Sequence, residues 1–320
     1  MPDPHDLDAT VVITTKNRKE SLRIALESAV RQQGAVQVLV VDDASDDGTS
    51  EMIRAEFPTV TLVRVEKSNG YILQRNHGAE LARGRIIFSI DDDAAFTTDT
   101  VIQQVLAEFN HPRVGAVAIP FCNVNQSQAV YQTAPDATGI WCAQQFIGTA
   151  HALRRDLFLA LGGYRAHYFH QGEERDWALR LLAAGYVVRM GRSDRIDHFE
   201  SPKRDKTRMD TFGRRNDVLF IWHNTPALYL PFVLAKITLA GILFGFRIKR
   251  PKNMLTGLWR GYLGIFQYLS YRAPVPTAVW LLYRKLRQAT RFADIESSLP
   301  PMMDVAKLQP VRQALGPHAR

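Results

Sequence analysis

Cysteine is scarce in this chain of 320 residues, which contains only Cys122 and Cys142. Neither lies at a spacing typical of zinc ligands, so we expect two buried, reduced thiols and no cysteine-based metal centre. The first eight residues are polar and acidic and lack the basic and apolar regions of a secretory signal. We therefore expect a cytoplasmic protein.

Two glycine-rich signatures of nucleotide-binding enzymes are missing as well. The turn after the first predicted strand reads Thr14-Thr15-Lys16-Asn17-Arg18, whereas a sugar-nucleotide nucleotidylyltransferase would need a glycine-rich phosphate loop at that position. No G-x-G-x-x-G follows a predicted strand, which argues against a dinucleotide-dependent dehydrogenase. The sequence also has no internal repeat.

Charge is distributed unevenly along a chain whose overall composition, 46% hydrophobic and 22% charged, is that of an ordinary globular protein. Residues 1–202 contain 20 Lys+Arg and 26 Asp+Glu, a net charge of −6, whereas residues 203–320 contain 20 and 6, a net charge of +14. The basic part includes the nearly continuous apolar segment 226–246, which is followed by Arg247, Lys249, Arg250 and Lys252. Apolar segments beside basic clusters favour an anionic membrane surface over nucleic acid as the partner.

The apolar segment raises the question of a transmembrane helix. Residues 227–246 are long enough to cross a bilayer, but Pro231 interrupts them and Lys236 lies at their middle. A central lysine costs about 2.5–3.5 kcal/mol on insertion. The sequence therefore favours two interfacial or partly buried helices, at 226–246 and 255–271, and a membrane span is the alternative.

The first 200 residues alternate β-rich runs with amphipathic helical patterns, which predicts parallel strands joined by crossover helices. The predicted strands are 10–15, 36–41, 60–65, 86–90, 114–119 and 187–190, and the predicted helices are 20–33, 49–56, 71–83, 98–109, a helix from about 155, and 175–184. This is an α/β class sheet flanked by helices. Ligands of such sheets bind beyond the carboxyl ends of the strands.

Acidic residues follow two of these strands, at Asp42-Asp43 and at Asp91-Asp92-Asp93. Three adjacent carboxylates repel one another, so placing them at the end of a buried strand is costly unless a cation neutralises them. Carboxylate oxygens suit Mg²⁺ or Mn²⁺, which proteins commonly bind together with substrate phosphates. The triplet therefore predicts a metal–diphosphate site; a solvated loop or a helix cap is the alternative.

A series of short motifs follows in order along residues 9–200: Val11–Arg18, Val40–Thr49, Asn69-Gly70, Arg75-Asn76-His77-Gly78, Ala82-Arg83-Gly84, the acidic triplet, Arg154-Arg155, Gly162-Gly163-Tyr164 and Gly172–Asp176. With these motifs the chain resembles the family 2 glycosyltransferases, which are inverting enzymes of GT-A fold that use nucleotide-diphosphate sugars. Each motif is weak alone, and the ordered series is specific. It implies a GT-A type mixed sheet and transfer of a sugar to an acceptor hydroxyl.

The resemblance also implies roles for individual residues. Thr15 and Asp43 would hold the nucleoside, and Asn17, Arg18 and Arg75 would contribute to nucleotide-sugar binding. Asp92 would lie near the ribose and Asp91 near the ribose or the metal. Asp93 would be the direct ligand of Mn²⁺ or Mg²⁺, and His198 would lie near the metal and the diphosphate. The structural alternatives are a turn or helix cap for Asp43, a surface ion pair for Arg75 and a structural role for His198.

An inverting transfer needs a base that accepts the proton of the acceptor hydroxyl. The family carries this carboxylate in a Glu-Asp pair at a helix start, which corresponds here to Glu173-Glu174, with Glu174 at the position of the base. Glu174 departs from the usual Asp, so either the backbone compensates for the longer side chain or Glu173 carries more of the role. Alternatively, both acids merely complement the helix dipole, an effect of about 0.3–1 kcal/mol.

From these patterns we predict a GT-A domain at residues 1–205, a helical basic segment at 206–296 and a mobile tail at 297–320. The expected protein is a metal-dependent hexosyl- or deoxyhexosyl-transferase of cell-envelope or lipid-linked glycan synthesis, peripheral on the inner face of the cell membrane. Its partners would be a nucleotide-diphosphate sugar, a glycan or lipid-linked acceptor and an anionic membrane surface, without nucleic acid. A catalytically silent, membrane-associated scaffold that binds nucleotide sugars or glycans is the alternative. Candidate acceptor-side residues are Trp141, Gln144, Gln145, His151, His167 and His170.

Overall fold

A computed structural model describes residues 7–200, 205–286 and 289–311 of the chain. The strands are β1 (Ala9–Thr15), β2 (Val36–Asp42), β3 (Thr61–Arg64), β4 (Ile86–Asp91), β5 (Ala94–Phe96), β6 (Val114–Ala118), β7 (Phe121–Asn123), β8 (Val130–Tyr131), β9 (Trp141–Ala143), β10 (Ala150–Arg154), β11 (Val187–Met190), β12 (Ile196–His198) and β13 (Thr290–Arg291). The α-helices are α1 (Lys19–Val30), α2 (Thr49–Glu56), α3 (Tyr71–Leu81), α4 (Val101–Ala107), α5 (Arg155–Ala160), α6 (Glu173–Ala183), α7 (Lys206–Asn224), α8 (Leu230–Arg247), α9 (Pro251–Gln267), α10 (Thr277–Lys285) and α11 (Ile295–Ser298). Short 3-10 helices lie at Ala166–Tyr168, Leu269–Tyr271 and Val305–Lys307.

A mixed sheet of nine strands, in the order β13-β9-β11-β6-β10-β4-β1-β2-β3, forms the centre of the protein. Strands β4, β1, β2 and β3 run parallel, and β10 is antiparallel to both β4 and β6. The central strands are apolar runs buried on both faces because helices cover both sides of the sheet. The predicted strands are present, and the predicted α/β fold class is confirmed.

A second sheet, in the order β5-β12-β7-β8, brings a histidine to the acidic triplet. His198 on β12 lies opposite Ala94 of β5, the residue that directly follows the triplet, and opposite Asn123 of β7. This pairing joins parts of the chain about a hundred residues apart in sequence. No pattern in the local sequence around His198 indicates this strand pairing.

The C-terminal part packs against the sheet-containing part. Helix α7 lies against the 165–172 loop, where Asn216 Nδ2 donates to the carbonyls of Tyr168, His170 and Gln171 at 2.9, 2.8 and 2.7 Å. Strand β13 joins the edge of the nine-stranded sheet through β9. The 206–296 segment is therefore continuous with the α/β body.

The described part of the predicted mobile tail, residues 297–311, also packs on the α/β body. Leu299 is buried, and the backbone N–H of Met303 donates to the Ala184 carbonyl at 3.0 Å. The hydroxyl of Tyr186 donates to the Met303 carbonyl at 2.9 Å, and Arg113 Nη1 donates to the Pro300 carbonyl at 2.7 Å. Residues 312–320 of the predicted tail lie outside the described residues.

Helices α8 and α9 form an antiparallel hairpin whose outer face is apolar and exposed. Helix α8 is long and apolar enough to cross a membrane by length and composition, with a mean hydropathy of 1.6, and 11% of it is buried. The large apolar side chains that are exposed on the hairpin include Phe232, Leu239, Leu243, Phe246, Leu255, Trp259, Leu263 and Phe266. The two predicted helices are present, with ends shifted by a few residues.

Candidate active site

A cleft of about 1420 Å³ lies at the carboxyl ends of β1, β2 and β4. Residues predicted for donor, metal and base chemistry line it together: Thr15, Asn17, Arg18, Asp43, Arg75, Asp91, Asp92, Asp93, Glu174 and His198. They come from loops after three parallel strands, from α3, from the start of α6 and from β12. Polar residues at the ends of three parallel strands therefore meet at one sheet edge, where ligands of α/β sheets bind.

Each carboxylate of the acidic triplet contacts a different side chain, and Arg18 also pairs with two of the three. Asp91 accepts from Arg75 Nη2 at 2.7 Å and from Thr149 Oγ1 at 2.9 Å. Asp92 accepts from Thr15 Oγ1 at 2.8 Å. Asp93 Oδ1 lies 3.2 Å from His198 Nε2. Fixed partners on separate sides reduce the mutual repulsion that makes an isolated triplet costly.

Asp91, Asp93 and His198 form a group that fits a divalent cation. One ligand atom from each residue lies within 4.8 Å of the other two. With a cation bound, the proton of His198 would be on Nδ1, which lies 2.6 Å from Asn123 Oδ1, and Nε2 would offer its lone pair to the ion. Two carboxylates and one imidazole suit Mn²⁺, and the carboxylates also suit Mg²⁺. Asp92 points away from this group, toward Thr15.

Neighbouring carboxylates in the triplet have opposite pKa shifts. Burial, with the charges of Asp93 and Asp91 adding to it, raises the pKa of Asp92 to about 7 against the opposing charge of Arg18. For Asp93 burial acts in the same direction, but the hydrogen bond from His198 and the charge of Arg18 outweigh it and lower the pKa to about 2. Asp93 is therefore charged at neutral pH, as a metal ligand must be.

Arg18 lies across the same carboxylates. Its guanidinium pairs with Asp92, with 3.1 Å between Nη1 and Oδ1, and with Asp93, while 37% of the side chain is exposed. The guanidinium therefore occupies carboxylate oxygens next to those that a cation would use. Being half-exposed on a loop, it can move without disrupting the core.

Asp43 is predicted to contact the nucleobase, and its carboxylate accepts four hydrogen bonds from residues 68–74. The donors are Ser68 Oγ at 2.7 Å, the backbone N–H of Asn69 at 2.9 Å and of Gly70 at 3.0 Å, and Gln74 Nε2 at 2.6 Å. An ionised carboxylate has about four acceptor sites, so these four bonds fill them. Asp43 thus ties the end of β2 to the start of α3, and a base that binds it would replace one of these donors.

Arg75 is buried, with 7% of its side chain exposed, so the alternative of a surface ion pair is wrong. Besides the bond to Asp91, it donates to Glu173 Oε1 at 3.3 Å and to the Gly148 carbonyl at 3.1 Å. Its Nη1 lies 3.9 Å from Glu174 Oε1. One guanidinium therefore links the acidic triplet to the acidic pair on α6.

The two acids at the start of α6 differ in their access to the cleft. Glu174 lines the cleft with 17% of its side chain exposed, whereas the Glu173 side chain has no exposed area behind Arg75. Burial raises the pKa of Glu174, and Arg75 opposes that shift. Burial and the charge of Glu174 raise the pKa of Glu173 well above its ordinary value. The structure therefore does not bring Glu173, the second predicted catalytic acid, to the cleft.

Several residues of this site are not identified by sequence reasoning. A side chain at Gly148 would place its Cβ 2.4 Å from Glu174 Oε1 and 2.8 Å from Arg75 Nη1, so the chain passes the acidic pair as closely as glycine allows. Thr149 and Asn123 hold Asp91 and His198. These residues lie in or beside the irregular 120–150 region, where neither periodicity nor motif marks them.

The candidate acceptor-side residues separate into distinct groups. His170 lines the cleft, and Gln145 lines a second cavity beside it. His151 and His167 are buried, with His151 Nε2 2.9 Å from the Tyr164 hydroxyl and His167 Nε2 3.0 Å from His223 Nε2. Trp141 and Gln144 lie toward the β13 and α10 side, where Gln144 Nε2 donates to the Tyr283 carbonyl at 2.9 Å and Trp141 contacts Arg291.

Comparisons with known proteins agree with this architecture. The chain is 35% identical over 100 residues to the succinoglycan biosynthesis protein ExoO of Rhizobium meliloti (strain 1021), a match covering 31% of this chain and 29% of that protein. A 29% identical match over 92 residues to ExoU of the same organism covers 28% of this chain and 27% of that protein. The chain thus matches less than a third of the length of these curated relatives.

Solved structures match over most of the chain. The mannosyltransferase PcManGT from Pyrobaculum calidifontis, in complex with GDP-Man and Mn²⁺, is 20% identical, with a TM-score of 0.55 and coverage of 90% of this chain and 85% of that one. S. aureus TarS 1-349 in complex with UDP-GlcNAc is 16% identical, with a TM-score of 0.58 and coverage of 88% and 87%. These likenesses show the fold, and the predicted GT-A fold is confirmed.

The amino-acid sequence of the chain shows its family. A family model described as Glycosyl transferase family 2 matches residues 10–170, which is half of the chain and includes β2, β4, the acidic triplet and all but the first residue of β1. The resemblance carried by the ordered motifs is thereby confirmed, and the chain belongs to glycosyl transferase family 2.

Proposed function

We propose that this protein is an inverting glycosyltransferase that moves a sugar from a nucleotide-diphosphate donor to an acceptor hydroxyl in the synthesis of a cell-envelope polysaccharide or lipid-linked glycan. The observation that carries the proposal is a single cleft in which the acidic triplet and His198 are linked through Arg75 to Glu174. The matched relatives are named for succinoglycan biosynthesis, and two structural neighbours hold UDP-GlcNAc and GDP-Man. Those names support the substrate class.

In this proposal the donor lies along the sheet edge. Thr15, Asn17 and Asp43 contact its nucleoside, and Asp92 lies near the ribose. Arg18 leaves the triplet to pair with the diphosphate, whose oxygens match a guanidinium. Asp91, Asp93 and His198 would hold Mn²⁺ or Mg²⁺, which when bound neutralises charge on the leaving diphosphate.

Glu174 performs the proton transfer. Its carboxylate accepts the proton of the acceptor hydroxyl while the acceptor oxygen forms a bond to the anomeric carbon of the donor. The bond from that carbon to the diphosphate oxygen breaks, and its electron pair leaves with the nucleoside diphosphate. A single displacement of this kind inverts the anomeric centre. Glu173 acts as a positioning residue, because its buried carboxylate bonds to the Arg75 guanidinium that lies beside Glu174.

A donor panel tests the proposal. UDP- and GDP-sugars are offered to the full chain with Mn²⁺ or Mg²⁺, with EDTA as control, and the release of nucleoside diphosphate is measured. We expect metal-dependent release with at least one donor, and the Glu174→Gln variant should retain donor binding by thermal shift but lose turnover. Wild-type turnover in this variant would refute Glu174 as the base. Donor binding without metal-dependent turnover in the wild type would favour the silent scaffold instead.

We also propose that the protein is peripheral on the inner face of the cell membrane. The support is the exposed apolar face of the α8–α9 hairpin together with the basic residues at its turn, Arg247, Lys249, Arg250 and Lys252. Apolar side chains at the headgroup boundary with cations beside them are typical of interfacial helices. Such a position would also bring the cleft near a lipid-linked acceptor.

A further inference from the structure

A second cavity adjoins the active-site cleft on the far side of Glu174. It has a volume of about 350 Å³ and lies between the start of α6 and the helices α7, α8 and α9. Gln171, Glu174 and Met209 line both spaces, so Glu174 stands at their common wall. A cavity of this size is at the lower end of the range for small-molecule sites, about 300–1,000 Å³.

One side of the cavity is lined by fixed polar groups from α6 and α7. Asp217 is held by two guanidiniums, with Arg175 Nη2 at 2.8 Å from Oδ1 and Arg214 Nη1 at 3.0 Å from Oδ2. The amide side chains of Gln145 and Gln171 also line the cavity. Charges that are paired with one another, beside amides, suit a neutral, hydroxyl-rich ligand better than an anion.

The opposite side of the cavity is apolar. Phe244 of α8 and Met254 of α9 form its wall. The same two helices carry the exposed apolar side chains of the hairpin, among them Leu243, Phe246 and Leu255, which are 61, 64 and 48% exposed. The polarity of the cavity therefore changes from charged on the α6 and α7 side to apolar on the hairpin side.

We propose that this cavity is the acceptor subsite and that it binds the sugar end of a lipid-linked acceptor whose hydrocarbon chain lies along the α8–α9 hairpin. The inference rests on the proposed function, because it assigns the acceptor of the same reaction. The donor occupies the triplet side of Glu174, and the acceptor hydroxyl meets Glu174 from the second cavity. An amphipathic acceptor matches the polar side and the apolar side of the cavity at the same time.

Gly213 of α7 provides a direct test, because it lines this cavity and not the donor cleft. A Cβ added there meets only the flexible end of Gln171, at 3.1 Å. Gly213→Phe should fill the cavity, and Gly213→Ala is the matched control with the smallest added group. Asp217→Asn is a second variant, which removes the charge held by Arg175 and Arg214 without adding volume.

The probes are octyl glucoside, octyl galactoside and octyl mannoside below their micelle concentrations, with octanol and the free sugars as controls. We expect the wild-type chain to bind at least one octyl glycoside more tightly than octanol or the free sugar, by tryptophan fluorescence or ligand-observed NMR. Gly213→Phe and Asp217→Asn should weaken that binding at least fivefold, while Gly213→Ala stays within twofold of the wild type. Thermal shifts with donor and Mn²⁺ should be unchanged in all three variants.

The proposal is overturned if no octyl glycoside binds the wild type better than octanol, or if both Gly213→Phe and Asp217→Asn bind as well as the wild type. Because the glycosides are tested without donor, these results are separate from the outcome of the donor panel. A chain that binds octyl glycosides at this cavity but turns over no donor would contradict the proposed function and keep the subsite.

Discussion

The position of the Glu174 carboxylate depends on Gly148, a neighbouring residue without a side chain. The Gly148 position leaves room for the Glu174 carboxylate and the Arg75 guanidinium, and its carbonyl accepts from Arg75. The family's usual Asp would reach less far than Glu174. Because Gly148 has no Cβ, there is space at this point for the longer side chain of Glu174.

We predict that Gly148→Ala strongly reduces turnover with little change in stability. The added Cβ would stand 2.4 Å from Glu174 Oε1, so the carboxylate must move away from its place beside the cleft. A displacement of about 1 Å at a catalytic group can cost about 100-fold in rate. The measurements are kcat with the donor that the panel identifies and the midpoint of thermal unfolding. Wild-type kcat in a folded Gly148→Ala protein would contradict this account.

Arg18 is the second residue whose position makes a specific prediction. Because its guanidinium pairs with Asp92 and Asp93 in the absence of a ligand, it competes with a divalent cation for their charge. Arg18→Gln should therefore bind Mn²⁺ about three- to tenfold more tightly without donor, a difference of roughly 0.6–1.4 kcal/mol. The same variant should bind the donor more weakly, because its diphosphate loses a cationic partner.

Free Mn²⁺ measured by electron paramagnetic resonance tests the first effect without any turnover. Lys16→Gln is the matched control, since Lys16 also lines the cleft and carries the same charge. Equal gains in Mn²⁺ affinity in both variants would show a general charge effect and contradict the specific role of Arg18.

At the scale of elements, α6 is fixed to α7 and to the 165–172 loop by a buried polar network. Asp176 accepts from Arg165 Nε at 3.1 Å, from Arg180 Nε at 3.0 Å and from Asn224 Nδ2 at 2.8 Å. These charges lower the pKa of Asp176 against its burial. Because Glu174 is on the first turn of α6, the network that holds the helix also holds the proposed base.

Two histidines in this network predict how stability depends on pH. His167 and His223 face each other, and burial together with the nearby charges of Arg165 and Arg215 lowers both pKa values, that of His223 to about 3. Between that value and the unfolded pKa of about 6.5, the unfolded chain binds more protons than the folded one. Stability due to His223 is therefore complete above about pH 7 and falls as the pH decreases, by roughly 2 kcal/mol at pH 5.

Urea unfolding at pH 7 and pH 5, compared between the wild type and His223→Gln, measures this contribution. The raised pKa of Asp92 has the opposite effect, because it stabilises the folded state as the pH falls. Both proteins contain Asp92, so the comparison between them cancels this effect. We expect the wild type to lose more stability than His223→Gln between the two pH values. Equal losses would contradict the assignment.

The elements also show which parts of the structure can be predicted from the sequence. Strands β1, β2 and β4 are local apolar runs, and the polar residues that follow them fall at one sheet edge because parallel strands share a direction. Thr149 and Asn123 could not be assigned in this way, because they reach the site through strand pairings between distant segments. The packing of residues 299–311 depends on contacts with Tyr186 and Arg113, which no local pattern of a Pro-rich segment indicates.

At the scale of the whole molecule, the acidic N-terminal part and the basic C-terminal part form one body with different outer surfaces. The active-site cleft lies mainly in the acidic part, and helices of the basic part form one wall of the second cavity. The N-terminal part has a net charge of −6 and the C-terminal part a net charge of +14. An anionic bilayer would therefore orient the protein with the hairpin toward the lipid. The proposed path of a lipid-linked acceptor to Glu174 requires this orientation.

We predict that the hairpin binds anionic vesicles and that the binding has both an apolar and an electrostatic part. Replacing Leu243 and Phe246 together by Gln should weaken binding at least tenfold, because burying each such side chain contributes about 1.5–3 kcal/mol when complete. The measurement is co-flotation with vesicles containing phosphatidylglycerol, and raised salt should weaken binding further because it screens the basic residues at the hairpin turn. Ile24→Gln is the matched control, since Ile24 is an exposed apolar residue of α1, outside the hairpin. Failure of the wild type to float with anionic vesicles, or an equal loss in the Ile24→Gln control, would remove the membrane from this account and leave the cavity at Gly213 to be explained by a soluble acceptor.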